Sequence, residues 1–130
     1  MAWCFREEAS SYAESVLQSL SAAEAVAPSL WPLEVANVLL VGERRHRITP
    51  ADSSRFLALL GTLPITVDPE TSRRALDSIL SLARVHRLSS YDAAYLDAAM
   101  RHGLPLATLD DGLKKAAKSI GVSAFIPPPR

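Results

Sequence analysis

The chain is divided by a recurring signal, a small polar residue followed by a proline, and this punctuation restricts it to short helices with brief extended pieces between them. In Thr49-Pro50-Ala51-Asp52 a hydroxyl precedes a first-turn proline and an acid stands three residues on, the pattern of a capped helix start. Ser29 with Pro32 and Asp68-Pro69-Glu70 repeat the logic. Behind these starts, apolar residues recur at helical spacing. The spacing predicts a helix over 8–23 on Tyr12, Val16, Leu17 and Leu20. It predicts a second over 33–41, almost wholly apolar, deeply packed and ending near Gly42, and a third through Phe56, Leu59 and Leu60 to Gly61. A fourth follows on Ala75, Ile79, Leu82 and Ala83. A fifth is capped by Ser89 or Ser90 and closed by Gly103, and a last runs over 111–119 before Gly121. Residues 25–27 read as an extended link, and 64–67, 104–109 and 122–126 as short strands before the stiff Pro127-Pro128-Pro129 run.

Short strands alternating with helices predict an α/β fold with a small, mostly parallel sheet. At 130 residues with 48% hydrophobic content, the chain is long and apolar enough for one real core, here 1–126 with 127–130 as a tail. Fourteen basic residues balance fourteen acidic ones, so no global charge draws the protein to nucleic acid or to an anionic membrane. Cys4 is the only cysteine, which excludes an internal disulfide and a cysteine-based zinc site and suits a reducing, cytoplasmic setting. No apolar run is long enough for a membrane span, and residues 1–8 lack the pattern of a signal peptide.

The chemistry-bearing candidates are acids at helix starts. On the helix reading Ser90-Tyr91-Asp92-Ala93-Ala94-Tyr95-Leu96-Asp97, Asp92 projects with Tyr95, Leu96 and Ala99, a face that normally turns inward. Asp97 projects with Arg101, and an i, i+4 pair on a solvated face explains it, at about 0.3 kcal/mol. Glu34 lies in a first helical turn with Trp31, Val38 and Val41 on its face. Asp110 follows the apolar stretch 104–109 where a helix begins. All three positions, at the positive end of a helix dipole, favour ionised acids, and capping or dipole stabilisation is the ordinary explanation of each. If they converge, mutual repulsion calls for a divalent cation.

The remaining polar clusters have plainer readings. Glu43-Arg44-Arg45-His46-Arg47 is the one dense basic run. It reads as a solvated helix end with Glu43 and Arg47 paired, or else as a grip on phosphates. Lys114, Lys115 and Lys118 form a solvated helix face, and His86 and His102 face solvent. Trp3 and Trp31 read as core or interface anchors.

The segments "AWCFREE" (2–8), "PSLWPLEVANVLL" (28–40) and "LSSYDAAYLDAAMRHGLPLATLDDGLKKAAKSIGV" (88–122) resemble the PIN-domain ribonucleases, specifically the VapC-type toxins of bacterial toxin–antitoxin pairs. The resemblance implies a three-layer α/β/α fold in which Glu34, Asp92 and Asp110 hold Mg²⁺ or Mn²⁺ and Thr108 orients the site. It further implies RNA phosphodiester hydrolysis, a homodimer and a cognate antitoxin protein lying over the acidic groove. The family opens on a central strand ending in a further aspartate, and here that strand would fall before Met1. A non-catalytic interaction module of the same fold is the alternative reading. A receiver domain lacks its strand-borne lysine, and an α/β-hydrolase lacks its Gly-x-Ser-x-Gly elbow.

Overall fold

The computed structural model describes residues 11–127. They fall into two compact units. One takes the residues through Ala25 together with Trp31–Ile65 and Pro127; the other takes Val26–Leu30 and Thr66–Ile126.

The first unit contains α1 (Ser11–Ser19), α2 (Trp31–Arg44) and α3 (Pro50–Leu60). The predicted helix over 8–23 is α1, shortened at its C-terminal end because Ser21 and Ala22 turn back by hydrogen bonds to the Gln18 and Ser19 carbonyls. Its expected start at residues 8–10 lies outside the described residues. Deep packing of the second helix is corrected. Val35, Leu39 and Gly42 are buried on one side of α2, whereas Leu33 is 75% exposed and Leu40 also faces outward. The helix also runs two residues past Gly42, because a glycine whose face is covered closes packing rather than ending a helix. Ser29 lies in the turn ahead of α2. The α3 cap is as read: the Thr49 hydroxyl accepts from Asp52 N–H at 3.1 Å, and Asp52 Oδ2 accepts from Thr49 N–H at 2.9 Å, with Pro50 at the start.

The second unit begins with the small parallel sheet, β1 (Ala25–Pro28) beside β2 (Ile65–Asp68), whose pairing residues from Val26 and Thr66 onward lie in this unit. The link expected over 25–27 is therefore a strand. The helices of the unit are α4 (Thr71–Arg74), a π-helical turn (Ala75–Ile79), α5 (Leu80–His86), α6 (Ser90–His102) and α7 (Asp111–Ser119). The π-helical turn, one residue wider than an α-turn, interrupts what the periodicity reads as one helix. The strands expected over 104–109 and 122–126 shrink to one parallel bridge, Leu106 with Ala124. Leu106 N–H donates to the Ser123 carbonyl and Phe125 N–H to the Leu106 carbonyl, both at 2.9 Å. An α/β fold with a small parallel sheet is what the structure has.

Helix α6 is the centre of this unit. Leu96 and Ala99 join Leu106, Leu113, Ala116 and Ala117 in one buried cluster, and Ala93 and Ala94 join Ile79 and Ala83 in another. Small side chains on several faces let the π-turn, α5 and α7 all approach α6 closely. Its ends are set as the sequence predicts. Ser89 Oγ accepts from Asp92 N–H at 3.0 Å, and Gly103 takes the left-handed conformation at φ 63°.

A methyl group at Gly103 meets nothing within 4 Å, so Gly103→Ala changes backbone conformational energy alone. The expected cost is about 1 kcal/mol, read as a lower urea midpoint with an unchanged slope.

Candidate active site

Two aspartates are taken up entirely by structure. Asp68, the last residue of β2, is 3% exposed. Its Oδ1 accepts from Glu70 N–H at 2.8 Å, while Oδ2 accepts from the Arg101 guanidinium and lies 3.0 Å from His102 Nε2. The sequence reads Asp68 as a helix cap. It makes instead a tight local turn, and α4 starts behind Glu70 with no side-chain cap. Asp97 is likewise 3% exposed, which corrects its assignment to a solvated face. Arg74 binds it in two-pronged fashion, Nε to Oδ2 and Nη2 to Oδ1, both at 2.9 Å. Arg101 Nε adds a third bond to Oδ2 at 2.9 Å, the pair that the i, i+4 spacing predicts.

Electrostatics follow from the geometry. Burial pushes the Asp68 carboxyl up, and the hydrogen bonds from Glu70, Arg101 and His102 more than reverse this, leaving it at about 2. Burial also raises Asp97, and Arg74 and Arg101 override it, holding the group below its ordinary value. His102, expected to face solvent, is exposed on one side yet reaches Asp68. These five residues are the part of the unit that sequence reasoning missed. Only the Asp97–Arg101 spacing signalled any of it, because Arg74 and Asp68 lie far away along the chain.

The three predicted site acids stand differently. Asp92 sits in the first turn of α6, half-exposed. Ser89 performs the capping there, and among the described residues no hydrogen bond or ion pair reaches the Asp92 carboxylate. Capping therefore does not account for it, which leaves the helix dipole as its ordinary explanation. Asp110 does cap its helix: Oδ1 accepts from Leu113 N–H at 2.7 Å, and Asp110 N–H donates to Thr108 Oγ1 at 3.1 Å. Only one of its two carboxylate oxygens is used in this way. Asp92 and Asp110 thus lie in one unit, at the starts of two helices that pack on each other. Glu34 lies in the first turn of α2, in the other unit. Oxygen donors of this kind suit a hard cation, although among the described residues no three His, Cys, Asp or Glu side chains gather as a metal-holding group.

The basic run after α2 forms a helix end that turns through His46 at φ 57°. Glu43 Oε2 accepts from Ser53 Oγ at 2.6 Å. Lys114, Lys115 and Lys118 are exposed along α7 as predicted.

Because the Asp68 carboxyl titrates lower in the folded chain than its ordinary 3.8, its contribution to stability is complete above that value. It is lost as the pH falls through about 2. Acid unfolding followed by circular dichroism should steepen in that window for the wild type and flatten in Asp68→Asn. Asp97→Ala, which leaves two guanidinium groups without their buried partner, is expected to lower the unfolding free energy by about 3 kcal/mol in urea titrations.

Among the described residues no helix is long and apolar enough to cross a membrane. A comparison with curated proteins finds no match. The PIN domain family matches residues 1–119. With that match over almost the whole chain, and with the parallel two-stranded sheet and flanking helices described above, the protein belongs to the PIN-domain family, a nuclease-type fold.

Proposed function

We propose that the protein is a metal-dependent endoribonuclease of the VapC type, a cytoplasmic toxin neutralised by a cognate antitoxin and acting as a homodimer. Glu34, Asp92 and Asp110 are its acidic residues. The observation that carries this reading is the division among the acids of the second unit. Both oxygens of Asp68 and of Asp97 are engaged, by arginines and, for Asp68, also by Glu70 N–H and His102, whereas among the described residues the Asp92 carboxylate and one oxygen of Asp110 remain open at helix starts. Toxin class, antitoxin and dimer rest on the resemblance of residues 2–8, 28–40 and 88–122.

Ser89 takes over the end of α6, so the Asp92 carboxylate is not spent on capping. Thr108 holds the backbone of Asp110, and the bond from Leu113 N–H to Oδ1 fixes the rotamer that aims the second oxygen. Glu34, in the first turn of α2, is the third acid that the resemblance implies. Mg²⁺ or Mn²⁺ bound to such oxygens supplies positive charge against the phosphoryl group and acidifies water at neutral pH.

Asparagine caps a helix as well as aspartate does, so Asp110→Asn removes charge and leaves the α7 cap in place. Incubating a structured RNA with Mn²⁺ should give chelator-sensitive cutting by the wild type. The cutting should fall by about two orders of magnitude or more in Asp92→Asn and in Asp110→Asn, with circular dichroism unchanged. A folded wild type that binds RNA and never cuts it would establish the interaction module instead.

A further inference from the structure

Beside Asp110 the second unit has a groove of about 430 Å³, between α7 on one side and Leu106, Thr108 and residues 121–124 on the other. Its lining is largely apolar, with Val122 and Ala124 open to solvent beside the buried Leu106 and Ala117, and Lys114 and Lys118 line it too. The two lysines are four residues apart and so share one face of α7, where like charges repel. Among the described residues neither has a carboxylate partner, in contrast to Arg55, Arg73, Arg74 and Arg101, all of which are paired. An apolar lining beside an unpaired double cation is complementary to a ligand that is flat and apolar at one end and anionic at the other. The volume lies within the range of small-ligand clefts. Thr108 lines this groove and accepts the hydrogen bond from Asp110 N–H, so the groove opens directly beside an acid of the proposed active site.

We infer that this groove is a nucleotide subsite for single-stranded RNA, with the base lying on Val122 and Ala124 and a backbone phosphate held by Lys114 and Lys118. The inference rests on the ribonuclease reading and adds to it where the strand runs: past Thr108, along α7, away from Asp110. Recognition of this kind is sequence-tolerant, because every base has an apolar face, and strongly salt-dependent, because the phosphate contact is purely ionic.

The test measures binding apart from cutting. A fluorescein-labelled single-stranded oligoribonucleotide of mixed sequence is titrated with the protein in chelator, at several salt concentrations, by fluorescence anisotropy. The double variant Lys114→Ala/Lys118→Ala is expected to bind about tenfold more weakly at low salt. Its slope of log affinity against log salt should be shallower by about 1.4, two phosphate-neutralising charges at about 0.7 each. Ser123→Glu, which sets a carboxylate on the groove wall, should weaken binding in the same direction. Lys115→Ala, on the same helix but outside the groove, should bind as the wild type does. A loss in Lys115→Ala as large as in the double variant, or no loss in the double variant, would overturn the subsite. Cutting in Mn²⁺ by a wild type whose binding ignores Lys114 and Lys118 would leave the nuclease standing and remove the groove. Lysine-dependent binding without any cutting would do the reverse.

Discussion

Two carboxylates buried among guanidinium groups are the constraint on which the second unit depends. Asp97 lies on a helix whose other buried positions are Leu96 and alanines, and a lone charge there would cost several kcal/mol. Arg74 and Arg101 answer it with three hydrogen bonds, and Arg101 passes the same guanidinium on to Asp68 at the end of β2. The chain of contacts therefore runs from the residue just before the π-helical turn, across α6, to the strand end. Each member neutralises its neighbour, so the arrangement is selective: α6 cannot slide or rotate by one residue without leaving a buried charge unpaired. The first turn of α6 then holds Asp92 in a defined place.

This rigidity separates acids that hold the fold from acids available for chemistry. Asp52 is tied to Thr49 and Arg55, and Asp68 and Asp97 are tied to arginines. Asp92 is bound to nothing among the described residues except through its backbone, and Asp110 keeps one oxygen beyond its cap. A helix start with its own serine cap gains only the dipole interaction, about 0.3–1 kcal/mol, from a carboxylate in the next turn. Asp92 is thus the acid that the contacts of the fold least explain, and the proposed cation site is the reason offered for it.

Local signals carried most of what the sequence made legible. The Thr49–Asp52 box, the Ser89 cap, the Gly103 stop and the α7 boundaries depend on neighbours within four residues, and each is where the pattern puts it. Misreadings came where the answer lay far along the chain. Periodicity sorts a helix into one inner and one outer face, but alanines at 93, 94, 98 and 99 bury α6 on several sides, so Asp97 on the supposed outer face is inside. Nothing near Asp97 announces Arg74. The strands over 104–109 and 122–126 read as apolar runs, yet hydrogen bonding pairs only Leu106 with Ala124. Apolarity says that a segment is buried and not that it has a partner strand. For the candidate acids, sequence placed all three at helix starts correctly. Which of them the rest of the fold would engage could be learned only from side-chain contacts.

The central claim is that the open carboxylate of Asp92 is there to bind a cation. Electron paramagnetic resonance of free Mn²⁺ during titration of the folded protein measures this without RNA. The claim predicts that Asp92→Asn weakens binding about tenfold or more, while Asp77→Asn, an exposed acid on the π-helical turn, leaves it unchanged. Equal Mn²⁺ affinity in the wild type and Asp92→Asn would contradict it.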